Sequence, residues 1–318
     1  MSRLDVHAHF VPEGYRAALR AAGHDQPDGM PAIPAWTSEE HVAVLDRLGI
    51  GTALLSISSP GVHFGDDAAA RALAREVNED GRRAVERHPR RFGLLASLPL
   101  PDVDGALAEL AYAFDVLHAD GVVLLTHAGD TYLGDAALEP VFAELDRRRA
   151  RVFIHPTSPP CWQQTALGRP RPMIEFLLDT TRAVTNMVLS GTVARHPGIE
   201  LIVPHAGAAL PSIADRVAAF AVVLADVDRH AHVGRDLARL HYDLAGFPLP
   251  RQLDGLLALT TIEQLHYGSD YPFTPERVVA GLAEQLLDHG RRGELVDRLT
   301  ANTRRLFPRL ADLPSADA

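Results

Sequence analysis

Short apolar, β-branched runs alternate with stretches of helical period eight times along the chain, and this alternation limits the possible folds more than any other feature. The runs fall at residues 4–10, 52–58, 91–98, 121–127, 151–156, 200–206, 240–245 and 265–271. Helix-period segments lie between and after them, at 38–48, 66–87, 104–118, 137–149, 173–195, 210–230, 250–259 and 275–289. Several open on a cap-like residue, such as Ser38 with Glu39 and Glu40 behind it. Eight strand–helix repeats are enough to close a parallel sheet into a (β/α)8 TIM barrel, an α/β fold. An open doubly wound sheet is disfavoured, because no Gly-x-Gly-x-x-Gly turn follows the first strand. A length of 318 residues with 47% apolar content suits one barrel domain over 1–318. Residues 11–37, rich in Pro and Gly and carrying Trp36, form a short insertion after strand one, placed to act as a lid or substrate wall. Segment 293–310 reads as an extra C-terminal helix packed on the barrel, with a loose tail behind it.

Barrel chemistry sits at the C-terminal ends of the strands. Those ends carry His7, His9, His127, His155, His205, Asp243 and Asp270. In the first strand Leu4, Val6, Ala8 and Phe10 alternate with Asp5, His7 and His9. Both histidines therefore project from one face, their Cα atoms roughly 6.6 Å apart. Alone, such a pair is more simply two surface histidines near a frayed terminus. The further His and Asp residues at matching strand ends favour a metal site instead.

Composition removes several function classes. With 31 basic against 41 acidic residues the formal charge is −10, so no electrostatic footprint for nucleic acid exists. The apolar run 217–225 falls far short of the ~18 residues of a membrane span. The chain enters a strand at once, which leaves no room for a signal peptide. One cysteine, Cys161, forbids an intrachain disulfide and suits a reducing cytoplasm. Every basic residue is arginine, which excludes lysine Schiff bases, covalent pyridoxal phosphate and a Walker-type phosphate loop.

Four motifs then converge: Asp5-Val-His-Ala-His9, Val152-Phe-Ile-His-Pro156, Pro204-His-Ala-Gly-Ala-Ala-Leu-Pro211 and Tyr267-Gly-Ser-Asp-Tyr-Pro-Phe273. With them the chain resembles the amidohydrolase superfamily, in the branch of aminocarboxymuconate semialdehyde, γ-resorcylate and 6-methylsalicylate decarboxylases. The stretch Thr126 to Pro156 looks most like the last group. The resemblance implies His7, His9, His155 and Asp270 as ligands of one divalent ion, with His205 a catalytic histidine beside it. Three imidazoles and a carboxylate suit Zn²⁺, taken first, or Mn²⁺. Without a lysine to bridge two ions, a mononuclear site is expected. The resemblance further implies an arginine, Arg216, that binds the substrate carboxylate across a homodimer interface. His41 stands where aminocarboxymuconate enzymes carry a substrate-contacting arginine, which argues against that particular substrate.

The expected reaction is non-oxidative decarboxylation of a small aromatic carboxylate, a 6-methylsalicylate-like ring. A proton is delivered to the ring carbon by Asp270, or by His205 through water, and CO₂ leaves. Phe10, Trp36, Trp162, Tyr271 and Phe273 are candidate walls for the ring, and His63 and His127 lie on strand-end loops within reach of substrate. Asp243 is a candidate for orienting His205 or a metal-bound water. The alternative is metal-assisted hydrolysis of a lactone, amide or C–C bond with His205 as base.

Overall fold

The computed structural model describes residues 2–224, 227–289 and 294–311. Eight parallel strands follow one another round a barrel: β1 (Arg3–His9), β2 (Ile50–Ser56), β3 (Phe92–Ser97), β4 (Gly121–Leu125), β5 (Arg151–His155), β6 (Glu200–Val203), β7 (His241–Asp243) and β8 (Leu265–His266). Closure runs from β8 back to β1 through the bridges Asp5↔Tyr267 and Ala8↔Tyr271. The amides of Val6 and His9 donate to the Tyr267 and Tyr271 carbonyls there, at 3.0 and 2.8 Å. Strand–helix alternation thus produces the expected closed (β/α)8 barrel.

Two apolar layers hold it. Inside the barrel Val6, Leu54, Leu95, Val123, Phe153 and Ile202 pack together. Leu306, Phe307 and Leu310 join them, so the extra C-terminal helix, Glu294–Leu306, leads into a plug for that interior. Residue 293 and the tail beyond 311 lie outside the described residues. The larger layer lies between sheet and helices, where strand residues such as Ala53, Leu55, Val122 and Ile154 meet helix residues such as Leu73, Val77, Leu110 and Val184.

Several boundaries differ from the pattern reading, each for a local reason. The helix Ser38–Leu48 is capped one residue earlier than Ser38, by Thr37, whose Oγ1 accepts the Glu40 amide at 3.1 Å. The segment 173–195 is two helices, Glu175–Leu189 and Thr192–Arg195, parted at Gly191 with φ of 76°. Within 210–230 the helix ends at Ala221. The insertion 11–37 contains a nine-residue helix, Glu13–Ala21, that buries Tyr15 and Leu19. β1 is not evenly alternating: its register slips between Asp5 and Ala8, so Val6 joins the interior layer while Ala8 and Phe10 join the outer one. Such a bulge re-aims the side chains beside it.

Candidate metal centre and its cleft

β1, β5 and the turn after β8 bring His7, His9, His155 and Asp270 together, one ligand atom of each lying within 4.8 Å of all the others. His7 Nε2 stands 3.1 Å from His9 Nε2 and 3.4 Å from Asp270 Oδ1, and His9 Nε2 is 3.2 Å from that oxygen. The three histidines are buried, and Asp270 is 20% exposed.

Each imidazole is oriented by its other nitrogen. His7 Nδ1–H donates to Asp243 Oδ2 at 2.8 Å, and His155 Nδ1–H to the Pro156 carbonyl at 2.7 Å. His9 Nδ1 faces Ser56, 3.0 Å from its hydroxyl and 3.3 Å from its carbonyl. With Nδ1 committed outward, the three Nε2 atoms point at one spot, the arrangement a metal requires. Tetrahedral donors about 2.0–2.1 Å from zinc stand about 3.3–3.4 Å apart. Right-angled donors of a six-coordinate ion stand about 3 Å apart. The spacings among His7, His9 and Asp270 accept either geometry, and His155 faces the same spot with its ligand atom within 4.8 Å of the others, so the set fits one divalent ion.

Burial and neighbouring imidazoles hold His155 well below the usual histidine range, and burial also lowers His9 and His205. Neutral imidazole is the ligating form. Burial opposes charge on His7 too, but Asp243 and Asp270 outweigh it and push His7 up to about 10, so an ion that binds here displaces the His7 Nε2 proton. Burial would raise Asp270, yet His7 and His9 hold it well below the usual carboxylate range. Asp243, fully buried, also accepts the His205 and Ala245 amides at 3.0 and 2.9 Å, so one carboxylate fixes both a ligand and the turn that carries His205. His205 lies beside the cradle, its ring 5.1 Å from that of His7. Its Nδ1 is buried and meets no hydrogen-bond partner among the described residues. Gly268 makes room at the back, since a Cβ there would come within 2.9 Å of the His7 Cβ.

The cradle opens into a cleft of about 580 Å³ that His155, His205 and Asp270 line. Its apolar wall includes Met30, Met173, Phe176, Phe247 and Phe273, and its polar groups include Asp28, Ser58 and Gln252. Phe273 packs edge-on to His9 with centroids 5.5 Å apart. The other candidate contacts lie elsewhere. Trp36 Nε1–H donates to His41 Nδ1 at 2.8 Å, and His41 is fully buried against Tyr271 and Phe92; neither His41 nor Trp36 lines the cleft. His63 pairs with Asp67 at 2.8 Å and lines a separate cavity of about 130 Å³, as does His127. Arg216 is exposed on the helix Leu210–Ala221, its guanidinium 5.1 Å from the Phe220 ring and outside the cleft of its own chain. Asp28, Gln252 and Phe247 line the cleft without any spacing or motif that marks them in sequence.

Residues 4–309 match the family model described as amidohydrolase, and the chain belongs to that family. The chain is 37% identical over 324 residues to the 6-methylsalicylic acid decarboxylase acuB of Aspergillus aculeatus, covering 97% of this chain and 96% of that protein. The crystal structure of an amidohydrolase II superposes with a TM-score of 0.90 at 35% identity, over 96% of this chain and all of that one. A dihydroxybenzoic acid decarboxylase from Polaromonas sp. JS666, solved with manganese and 2-nitroresorcinol, shares the fold at a TM-score of 0.82 and 19% identity, over 96% of this chain and 97% of that one.

Proposed function

We propose that the protein is a metal-dependent decarboxylase that releases CO₂ from a phenolic carboxylate of the 6-methylsalicylate type. The observation that carries this is the three-histidine, one-carboxylate cradle opening directly into an apolar cleft, with His205 beside it. Likeness over the whole chain to a 6-methylsalicylic acid decarboxylase supports the substrate class. His7, His9, His155 and Asp270 hold the ion, taken as zinc first and manganese second. When bound, the ion would supply Lewis acidity that stabilises negative charge developing on the substrate.

The chain's own groups do the rest. Phe273, Phe176, Phe247 and Met173 supply an apolar wall for the ring. His205, kept neutral by burial, takes up and passes on the proton that goes to the ring carbon as CO₂ departs, with Asp270 facing the same space. The balance is one carboxylate and one proton in, one CO₂ and one arene out.

Among the residues lining the cleft there is no arginine to meet a carboxylate. Arg216, exposed beside the exposed Phe220 and Val222, supports a homodimer in which Arg216 of each chain serves the cleft of the other. Among the described residues no helix is long and apolar enough to cross a membrane, and the single cysteine accords with a cytoplasmic setting.

The test is an ultraviolet assay with 6-methylsalicylate and metal-loaded enzyme, with His205→Ala as control. Formation of m-cresol by the wild type alone is expected. Persistence of substrate under both zinc and manganese, with CO₂ released from no other hydroxybenzoate, overturns the reading. Incorporation of ¹⁸O from solvent water into a product carboxylate would assign the site to hydrolysis instead.

A further inference from the structure

The turn that carries His205 is strained along its length, and one side chain spans it. His205, Ala206 and Ala208 have φ of 56°, 53° and 54° without being glycine, and Gly207 between them has 77°. Ala208 pairs its φ with ψ of −126°, a combination that L-residues avoid. Such a backbone persists only where its surroundings over-determine it. Gln252, first residue of the helix Gln252–Leu259, supplies that constraint. Its Nε2 donates to the His205 and Ala208 carbonyls at 2.8 and 2.9 Å and approaches the Ala206 carbonyl at 3.4 Å. Asp243 holds the other side through the His205 amide at 3.0 Å. Two backbone bonds within the turn, from the Gly207 and Ala208 amides to the Pro204 and His205 carbonyls at 3.2 and 3.0 Å, also support it, as does the Thr181 Oγ1 that accepts the Ala209 amide at 3.0 Å. Among the described residues, however, only Asp243 and Gln252 grip the residues at positive φ by their side chains.

We infer that Gln252 is a positioning residue for the reaction: its amide clamps the 205–208 turn so that the His205 imidazole stays beside the metal cradle. This rests on His205 being the proton-handling group proposed above. Since Gln252 also borders the cleft, direct contact with substrate is the competing role.

The test compares wild type, Gln252→Met, and Gln252→Met combined with Ala208→Gly. Methionine keeps length and volume but removes the donor, so the turn relaxes and the imidazole shifts. A fall in kcat of about 10²-fold is expected, the scale of a 1 Å misplacement, with KM and bound metal little changed. Glycine at 208 removes the penalty on positive φ and should recover much of kcat without restoring the hydrogen bonds. A raised KM with no glycine rescue would assign Gln252 to substrate contact and overturn the inference, as would an unchanged kcat. Crystal structures of the metal-loaded variants give a readout independent of turnover: His205 displaced in Gln252→Met supports the clamp, and an unmoved turn refutes it. If Gln252→Met does not fold, the double variant and Gln252→Glu, which sets carboxylate lone pairs against the same carbonyls, decide by the same structural readout. Inactive wild type with a displaced turn would fault the decarboxylase reading and leave the clamp standing.

Discussion

Replacing Asp243 by asparagine tests the orientation of the metal cradle with almost no change in shape. Burial alone would lift the Asp243 carboxyl, but His7 beside it holds it below the usual range, so it is a carboxylate accepting three hydrogen bonds. In Asp243→Asn the amide oxygen keeps the two backbone donors, those of His205 and Ala245. The NH₂ then faces His7 Nδ1, which must become an acceptor, and the ring proton moves to Nε2, where it points into the cradle. The opposite rotamer keeps the His7 bond but sets the amide against two backbone N–H groups, which is worse. A hydrogen bond to a charged group contributes about 1.5–3 kcal/mol. Losing it from a ligand weakens metal binding by about 10- to 150-fold at 1.4 kcal/mol per decade. That agrees with the roughly 10–100-fold cost of removing such outer partners elsewhere. The assay is competition for zinc or manganese against a chromophoric chelator, with circular dichroism to confirm the fold. Wild-type metal affinity in a folded Asp243→Asn protein would show that His7 is not oriented through Asp243.

Gly268→Ala forces a Cβ to within 2.9 Å of the His7 Cβ and 3.1 Å of the Asp243 Cγ; overpacking of this kind costs about 1–3 kcal/mol, so a lower urea midpoint is expected together with weakened metal binding. His41 sets a pH dependence: burial pushes its imidazole down to about 3, whereas the unfolded chain protonates near 6.5. The unfolded state binds the extra proton, so this contribution to stability is complete above about pH 6.5 and falls by about 1.4 kcal/mol per unit as pH drops toward 3. Urea titrations between pH 4 and 7 should show a shallower slope for His41→Gln, and an equal slope would exclude His41 as the source. Chelation should lower the midpoint of thermal unfolding, since metal at a thousand times its Kd stabilises by about 4 kcal/mol. The accompanying rise in amide exchange should be largest at residues 5–9 and 267–271, and a uniform rise would contradict a site that ties those segments together.

The barrel was legible because its two periods are strong: runs such as Val152–Ile154 and the long amphipathic stretch 67–87 leave little choice of element. The four cradle residues were legible because His155 ends its strand and Asp270 closely follows one, positions that a barrel turns toward its mouth. The bulge in β1 was not, since a one-residue slip is decided by pairing with β2 and leaves the apolar alternation of Leu4, Val6 and Ala8 unchanged. The helix Glu13–Ala21 was hidden by its setting: Pro12 before it and Gly23 behind it read as loop, while Tyr15 and Leu19 are too few to announce a face. Trp36 donates to His41, a pairing that proximity in sequence does not reveal. Gln252 carries no spacing signal, because the need for it arises from a strained turn 44–47 residues away.

The β8–β1 seam joins these observations. β8 is only two residues long and meets β1 through isolated bridges, whereas β1 and β2 share a longer ladder. At this seam the Asp5 carboxylate gathers the His7 and Ser269 amides, both at 3.0 Å, and the Asp270 amide donates to the His7 carbonyl at 2.7 Å. Asp270 itself sits at φ of 59°, a conformation that needs such support. His7 and His9 lie on one side of the seam and Asp270 on the other, so an ion held by all three would tie together the two strands that close the barrel. His155, on β5, would attach the same ion to a strand four positions round the barrel. The bulge in β1, the glycine at 268 and the strained Asp270 are thus parts of one arrangement, in which the junction that closes the barrel is also where the cradle residues converge.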